Sequence, residues 1–160
     1  MRSHRVPGER GLTYIELLVC VFVLAVLATA ALPLARWTEK RRMESRLRVS
    51  LQTMRDAIDV YKKYSDEGLI TQTDVDQMGY PRKLEDLVEG VEVGDPDSPE
   101  KKKLRLLARI PVDPMTNESE WGLRSYQDDW DAKSWGGENV FDVYSLSDRM
   151  ALDGTYYRDW

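Results

Sequence analysis

Cysteine and histidine are the residues that this sequence almost lacks, since each occurs once in 160 residues. Cys20 has no second cysteine to pair with, which excludes an intrachain disulfide and a cysteine metal cluster. His4 lies in an N-terminal stretch that we expect to be removed. A chain without histidine has no Ser-His-Asp or Cys-His arrangement and no histidine-ligated catalytic metal. We therefore predict that the protein is not an enzyme, although chemistry by carboxylates alone stays open.

An excess of positive charge is missing as well. Asp and Glu total 28 against 23 Lys and Arg, so the net charge is −5 at pH 7. Sequence-independent binding to nucleic acid needs a basic surface that displaces counterions, so we expect no nucleic-acid partner. The phosphate-binding motif G-x-x-x-x-G-K-[ST] is also absent from the sequence. The chain is therefore not expected to be the ATPase of the machine that it serves.

What the sequence does contain is one long apolar run over residues 12–34, behind the basic stretch MRSHRVPGERG of residues 1–11. A run of this length is long enough to cross a bilayer as a helix, which needs roughly 20 residues. The basic start favours a cytoplasmic N-terminus, but a larger group of positive residues follows the run and favours the opposite orientation. These are Arg36, Lys40, Arg41, Arg42, Arg46 and Arg48. The residues alone leave the orientation open.

Glu16 is a carboxylate near the start of the apolar run. Insertion scales put an Asp, Lys or Arg at the bilayer centre at about 2.5–3.5 kcal/mol, and less near an edge. Glu16 therefore either reaches the headgroups or has a charged partner within the membrane. It also argues against an ordinary secretory signal, the alternative, which would be cleaved after the run near Ala31.

Residues 11–19, with the sequence GLTYIELLV, resemble the class III signal of type IV pilins and pseudopilins. The resemblance implies that a prepilin peptidase cleaves between Gly11 and Leu12 on the cytoplasmic side of the membrane. It also implies that Leu12 is then N-methylated and that the apolar helix stays in the mature protein. The family usually has Phe in place of Leu12 and often Leu in place of Tyr14, and both differences keep apolar bulk.

Cleavage gives Glu16 a physical role. The new amine of one subunit pairs with Glu16 of a neighbour, so that two groups that are costly in lipid neutralise each other. Such a pair favours one axial stagger of packed helices, and so Glu16 is predicted to act in assembly. Pro33 removes a backbone donor, which predicts a kink or a loosened turn in the helix. The resemblance implies the same.

Residues 35–67 are predicted to continue the helix in amphipathic form and to end it at Gly68. Its apolar stripe recurs at spacings of four and three and consists of Leu47, Leu51, Met54, Ile58 and Tyr61. For the later turns we favour packing of this stripe on the protein's own sheet over contact with other subunits. Charged residues, Arg55 among them, are expected on the other faces. The basic run of residues 40–48 is either a solvated face or a contact to lipid headgroups or acidic neighbours.

Residues 68–160 predict a globular α+β head. A turn into a short helix is expected over residues 80–88, and loop chemistry over residues 94–99. The segment 101–109 is either a second short helix or extended.

Two short strands are predicted near the C-terminus by alternation and by aromatic and branched residues. They cover Trp121–Tyr126 and Asn139–Ser145, and Gly136-Gly137 between them favours a tight connection. Four tryptophans occur in the last forty residues, and core packing of a small sheet is preferred to an aromatic binding surface. These are Trp121, Trp130, Trp135 and Trp160.

Three further segments occur in the same order in the major pseudopilins of type II secretion. They are Tyr80-Pro81 with Leu84, IPVDP at residues 110–114, and FDVYSL at residues 141–146. With the signal, the similarity covers most of the chain except residues 89–109. It implies a pilin-like fold, in which a long N-terminal helix packs on a small antiparallel sheet, and a C-terminal loop that often binds calcium.

The candidate calcium donors follow the last predicted strand. Calcium takes six to eight oxygens from carboxylates, carbonyls and hydroxyls. The donors that the sequence offers are Ser147, Asp148, Asp153, Thr155 and Asp159. The spacing is not that of an EF-hand, and Arg149 brings a positive charge beside the site. The alternative is a turn capped by Asp and Gly residues without a metal.

The expected function is structural: a subunit of a type II secretion pseudopilus, assembled through residues 12–34 to drive protein export across the outer membrane. The resemblance implies a helical homopolymer, with the prepilin peptidase, an inner-membrane assembly platform, a separate ATPase and minor pseudopilins as partners. It places the chain in the bacterial inner membrane as a single-pass protein with its head in the periplasm. The alternatives are the major pilin of a type IV pilus and a membrane-anchored domain that never polymerises.

Overall fold

The computed structural model describes residues 11–70, 74–94, 101–129, 132 and 134–160, and for residues 30–35 it describes the backbone alone. The described chain is α+β, with helices and short antiparallel strands, which confirms the predicted class. It divides into two compact units, residues 1–40 and residues 41–160. The predicted leader, apart from Gly11, lies outside the described residues.

One long helix, α1, spans Tyr14–Asp66. Gly68 accounts for its end, because a φ of +72° places this residue in the left-handed region that glycine adopts without strain. The Gly68 amide donates to the Ser65 carbonyl at 3.0 Å, and the Leu69 amide donates to the Tyr64 carbonyl at 2.9 Å. These two bonds form the Schellman motif, which satisfies the last carbonyls of a helix. The predicted stop at Gly68 is confirmed.

No helix among the described residues is both long enough and apolar enough to cross a membrane. The predicted span of residues 12–34 includes residues 30–34, whose side chains lie outside the described part of the chain. The membrane half of the predicted helix therefore stays a prediction. The backbone is helical at Pro33. The kink or loosened turn predicted there stays a prediction.

The strands form two separate antiparallel pairs rather than one sheet. Strand β1, Val91–Val93, pairs with β2, Lys102–Leu104, and strand β3, Gly122–Arg124, pairs with β4, Asp142–Tyr144. In the second pair Leu123 lies opposite Val143. The chain between β2 and β3 contains two prolines, which cannot donate to a sheet ladder.

These elements agree with most of the predictions for the head. Strands β3 and β4 lie within the two predicted strands, and β2 realises the extended alternative for residues 101–109. The short helix α2, Asp86–Glu89, lies at the end of the segment predicted to turn into a helix. Strand β1 was not predicted. Of the predicted loop at residues 94–99, all but Gly94 lies outside the described residues. Two 3₁₀ turns, Val75–Gln77 and Tyr157–Asp159, complete the described elements.

The core of residues 41–160 is built around the predicted stripe of α1. All five stripe residues are buried, from Leu47 at 0 % exposure to Tyr61 at 4 %. They join one cluster with Leu87 of α2 and Val143 of β4. The expected packing of the later helical turns on the protein's own head is therefore confirmed.

The connection between β3 and β4 is longer than the tight one predicted, since it occupies residues 125–141. Its two ends are nevertheless joined by the buried Asn139. The Ser125 hydroxyl donates to the Asn139 carbonyl at 3.0 Å, and the Tyr126 amide donates to Asn139 Oδ1 at 3.0 Å. The glycine pair falls in the loop beyond this base, where Gly137 has a φ of +91°.

The tryptophans divide between the core and the surface. Trp121 is buried and its indole N–H donates to the Pro111 carbonyl at 2.9 Å, which confirms its predicted place in the core. Trp160 is half-buried and packs on the core, whereas Trp135 is exposed. Trp130 lies outside the described residues.

Candidate functional site

The predicted cleavage site lies just before α1, in chain that is neither helix nor strand. Gly11 and Leu12 are both exposed, and a Cβ added at Gly11 would meet no atom of the described chain within 4 Å. The described fold therefore gives no packing reason for a glycine at this position. If glycine is required at this position, the requirement comes from a protein that binds the cleavage site.

Thr13 caps the start of α1. Its hydroxyl oxygen accepts the Glu16 amide at 3.4 Å, and its carbonyl accepts the Leu17 amide at 3.1 Å. Thr13 and Glu16 have the spacing of a capping box, S/T-x-x-E. This relationship was not predicted from the sequence, and it links Glu16 to the start of the helix.

The Glu16 side chain is exposed in the first turn of α1. A carboxylate here interacts favourably with the positive end of the helix dipole. Within the described part of the chain, the Glu16 carboxylate has no ion pair and accepts no hydrogen bond.

The first turns of α1 present apolar side chains on every face. All described side chains of residues 11–29 are exposed, including Tyr14 at 79 %, Ile15 at 70 % and Phe22 at 69 %. Exposed apolar area costs about 25 cal/mol per Å² relative to burial, and a continuous patch of this kind marks an interaction surface. Cys20 is exposed on the same segment as a free thiol.

The three aspartates among the five predicted calcium donors form no cluster that could hold a metal ion. Among the described residues, no group of three or more acidic, cysteine or histidine side chains is placed to hold a metal ion. Asp148 accepts from Arg158 at 3.0 Å, whereas Asp153 accepts from the Thr155 hydroxyl at 2.6 Å. The donor set in this geometry does not fit a calcium ion.

The remaining oxygens of that set also have protein partners. The Ser147 hydroxyl accepts from Arg149 Nε at 3.3 Å, and the Thr155 hydroxyl accepts from the Trp160 indole at 2.7 Å. Hydrogen bonds from the Thr155 hydroxyl and amide hold the pKa of the Asp153 carboxyl below its usual value, with a contribution from Arg48. Asp159 lies 4.0 Å from Arg158.

Glu44 fixes the C-terminal loop to α1. Its side chain is buried, and one oxygen accepts both the Leu152 amide at 2.8 Å and the Tyr157 hydroxyl at 2.9 Å. Burial, together with the hydrogen bond to the Glu44 carboxylate and its charge, raises the pKa of the Tyr157 phenol to about 12. Glu44 was not predicted from the sequence. It lies three residues before Leu47, so the available signal was an acidic residue on the same helix face as the apolar stripe.

Arg55 ties α1 to β4 and to the end of the chain. Its guanidinium forms a two-pronged pair with Asp142, with Nε 2.7 Å from Oδ1 and Nη2 3.3 Å from Oδ2. Nη2 also donates to the carbonyls of Val143 and Trp160 at 3.0 Å and 2.8 Å. Arg55 lies off the apolar stripe, as expected, and β4 and the C-terminal segment partly cover that face of the helix.

Asp113 links two of the segments on which the resemblance rests. It is fully buried, and its carboxylate accepts the Met115 amide and the Ser145 hydroxyl, each at 2.6 Å. No partner for Asp113 was predicted from the sequence. A charged residue between two prolines, in a segment that is otherwise apolar, was the available signal.

No family model, no curated protein and no solved structure matches this chain.

Proposed function

We propose that this chain is a structural subunit of a pilin-like filament, of the kind that forms a type II secretion pseudopilus. The observation that carries the proposal is the exposed apolar start of α1 with Glu16 in its first turn. Residues 12–29 have no cover within the described chain, although they are apolar on all faces. A helix of this kind is stable in a lipid environment or among copies of itself.

Glu16 distinguishes assembly from anchoring. For a helix that serves as an anchor alone, a carboxylate among apolar side chains is costly in lipid, and its interaction with the helix dipole contributes only about 0.3–1 kcal/mol. In the proposed filament, the amine of a cleaved neighbour neutralises Glu16, and the pair fixes the axial register of the helices. The hydrogen bond from the Glu16 amide to Thr13 involves the backbone, so the carboxylate stays available for this pairing.

The head supports a structural role. Its C-terminal segment is fastened to α1 by hydrogen bonds of Glu44 and Arg55, so the head and the later turns of the helix are joined by polar contacts as well as by the core. Among pilin-like filament subunits, we prefer the major pseudopilin, which is also the subunit expected from the sequence. The major pilin of a type IV pilus shares the same processing and assembly chemistry.

The test is filament formation in cells that carry the rest of the assembly machinery, with three variants of the chain. Glu16→Ala and Glu16→Gln both remove the negative charge, and we expect both to abolish filaments that are sheared from cells and seen by electron microscopy. Thr13→Ala removes the cap at a cost of about 1 kcal/mol to a long helix and should leave filaments in place.

The pattern of the three variants separates the explanations of Glu16. Loss of filaments with Thr13→Ala but not with Glu16→Gln would assign Glu16 to helix capping and contradict the pairing. Filaments that persist in all three variants would leave a membrane-anchored domain as the better account. Immunoblots of the membrane fraction control for the amount of each variant.

A further inference from the structure

We propose that arginine side chains take the place of a metal ion in the C-terminal loop, residues 147–160, so that the loop keeps its shape without calcium. The resemblance implies a loop that often binds calcium, and the geometry of this loop departs from that expectation. The inference concerns the head alone and does not depend on whether the chain forms filaments.

Each of the five side chains that the sequence offers to a metal already has a protein donor or cation within 4.0 Å. Arg158 donates to Asp148 at 3.0 Å and lies 4.0 Å from Asp159. Arg149 donates to Ser147 from its amide at 3.4 Å and from Nε at 3.3 Å.

The side chains of Asp153 and Thr155 also have protein partners. Asp153 accepts from the Thr155 amide at 3.0 Å and from the Thr155 hydroxyl at 2.6 Å, and it lies 3.8 Å from Arg48. Thr155 in turn accepts from the Trp160 indole. A calcium ion would have to displace these partners one by one.

The local charge also opposes a divalent cation. Three carboxylates, those of Asp148, Asp153 and Asp159, lie within 4.0 Å of two guanidinium groups, those of Arg158 and Arg48. A third guanidinium, that of Arg149, is held in the loop by Ser147 and by the Met115 carbonyl. Calcium affinity rises with the number of uncompensated carboxylates in a site, and each of these three carboxylates has a guanidinium group within 4.0 Å.

Two anchors from α1 fix the loop from the inside, where a metal would otherwise organise it. Glu44 holds the Leu152 amide and the Tyr157 hydroxyl. The Arg48 guanidinium lies over the Trp160 ring, 4.4 Å from its centroid, and Tyr157 packs edge-on against the same ring at 5.2 Å. The backbone path from Leu152 to Trp160 is therefore set by contacts to the helix.

The first experiment measures thermal unfolding of the full chain in detergent by tryptophan fluorescence. Melts are compared in EGTA, in about 5 mM CaCl₂ and in the same concentration of MgCl₂, well above a Kd of about 10⁻⁴ M. We expect the three Tm values to agree within about 1 °C. A saturable rise of about 4 °C or more with calcium and not with magnesium would overturn the proposal.

The second experiment tests the arginines with a matched charge removal elsewhere. Arg158→Gln should lower Tm by about 1–4 °C at low ionic strength, and the difference should shrink in high salt because exposed ion pairs are screened. Arg109→Gln, which removes an exposed charge outside the loop, should change Tm by less than about 1 °C. Equal effects of the two substitutions would refute the role given to Arg158.

Discussion

The Tyr157 hydroxyl donates to Glu44 Oε1 at 2.9 Å, between residues 113 positions apart in the sequence. Both side chains are buried, and the same carboxylate oxygen accepts the Leu152 amide at 2.8 Å. One carboxylate of α1 therefore holds two points of the C-terminal loop. The stability of the head should depend on this contact more than on the exposed ion pairs around it.

Tyr157→Phe removes the hydroxyl while keeping the ring that packs on Trp160. Because a hydrogen bond to a charged group is lost and Glu44 keeps one partner, we expect the free energy of unfolding to fall by about 1.5–3 kcal/mol. Urea denaturation followed by tryptophan fluorescence measures this change. Tyr156→Phe is the matched control, since Tyr156 is 40 % exposed. Similar losses in the two variants would contradict the importance of the contact.

The same tyrosine makes stability depend on alkaline pH. The pKa of Tyr157 is about 12 in the folded chain, against a usual value of 10.0, because burial and Glu44 disfavour the phenolate. A raised pKa contributes stability that is fully present below pH 10 and is lost as the pH rises toward 12. Between pH 10 and pH 12 the parent should therefore lose stability more steeply than Tyr157→Phe. Parallel pH profiles of unfolding midpoints would contradict the assignment.

Ser145 and Asp113 provide a second buried contact. Ser145→Ala takes one of two hydrogen-bond donors from a fully buried carboxylate, so we expect a loss of about 1–3 kcal/mol in unfolding free energy. Ser45→Ala, at an exposed position of α1, should change it by less than about 0.5 kcal/mol. Chemical denaturation of both variants gives the comparison, and a loss no larger than that of the control would count against the Asp113 contact.

Arg55 should not tolerate replacement by lysine. A lysine ammonium keeps the charge but cannot form the paired bonds to Asp142 while also reaching the Val143 and Trp160 carbonyls. We expect Arg55→Lys to reduce the unfolding free energy by about 1–3 kcal/mol. Arg46→Lys, at an exposed position on α1, should have almost no effect. Denaturation midpoints that are equal for the two variants would show that charge alone suffices at position 55.

Local patterns in the sequence predicted the elements that depend on neighbouring residues. The four-and-three spacing from Leu47 to Tyr61 gave the buried face of α1, and Gly68 gave its end. Alternation and branched residues located β3 and β4. Each of these features is encoded within a few residues, which is why the sequence alone was sufficient.

Polar contacts between residues far apart in the sequence could not be predicted from the sequence. Asp113 and Ser145 are 32 residues apart, and Arg55 and Trp160 are 105 apart, so neither pair leaves a periodic signal in the sequence. The prediction of calcium donors rested on the types of residue that occur along one loop. Their directions depend on where Arg149, Arg158 and Arg48 lie in the fold, which composition does not specify.

The central claim is that the chain is processed and assembled as a pilin-like subunit, and the mass of its N-terminus tests this most directly. The protein is extracted from its native membrane and its N-terminal peptide is read by mass spectrometry. Our account predicts a chain that begins at N-methylated Leu12, with Glu16 as its fifth residue. A chain that begins at Met1, or one that begins near Ala31 after the apolar run, would contradict the account.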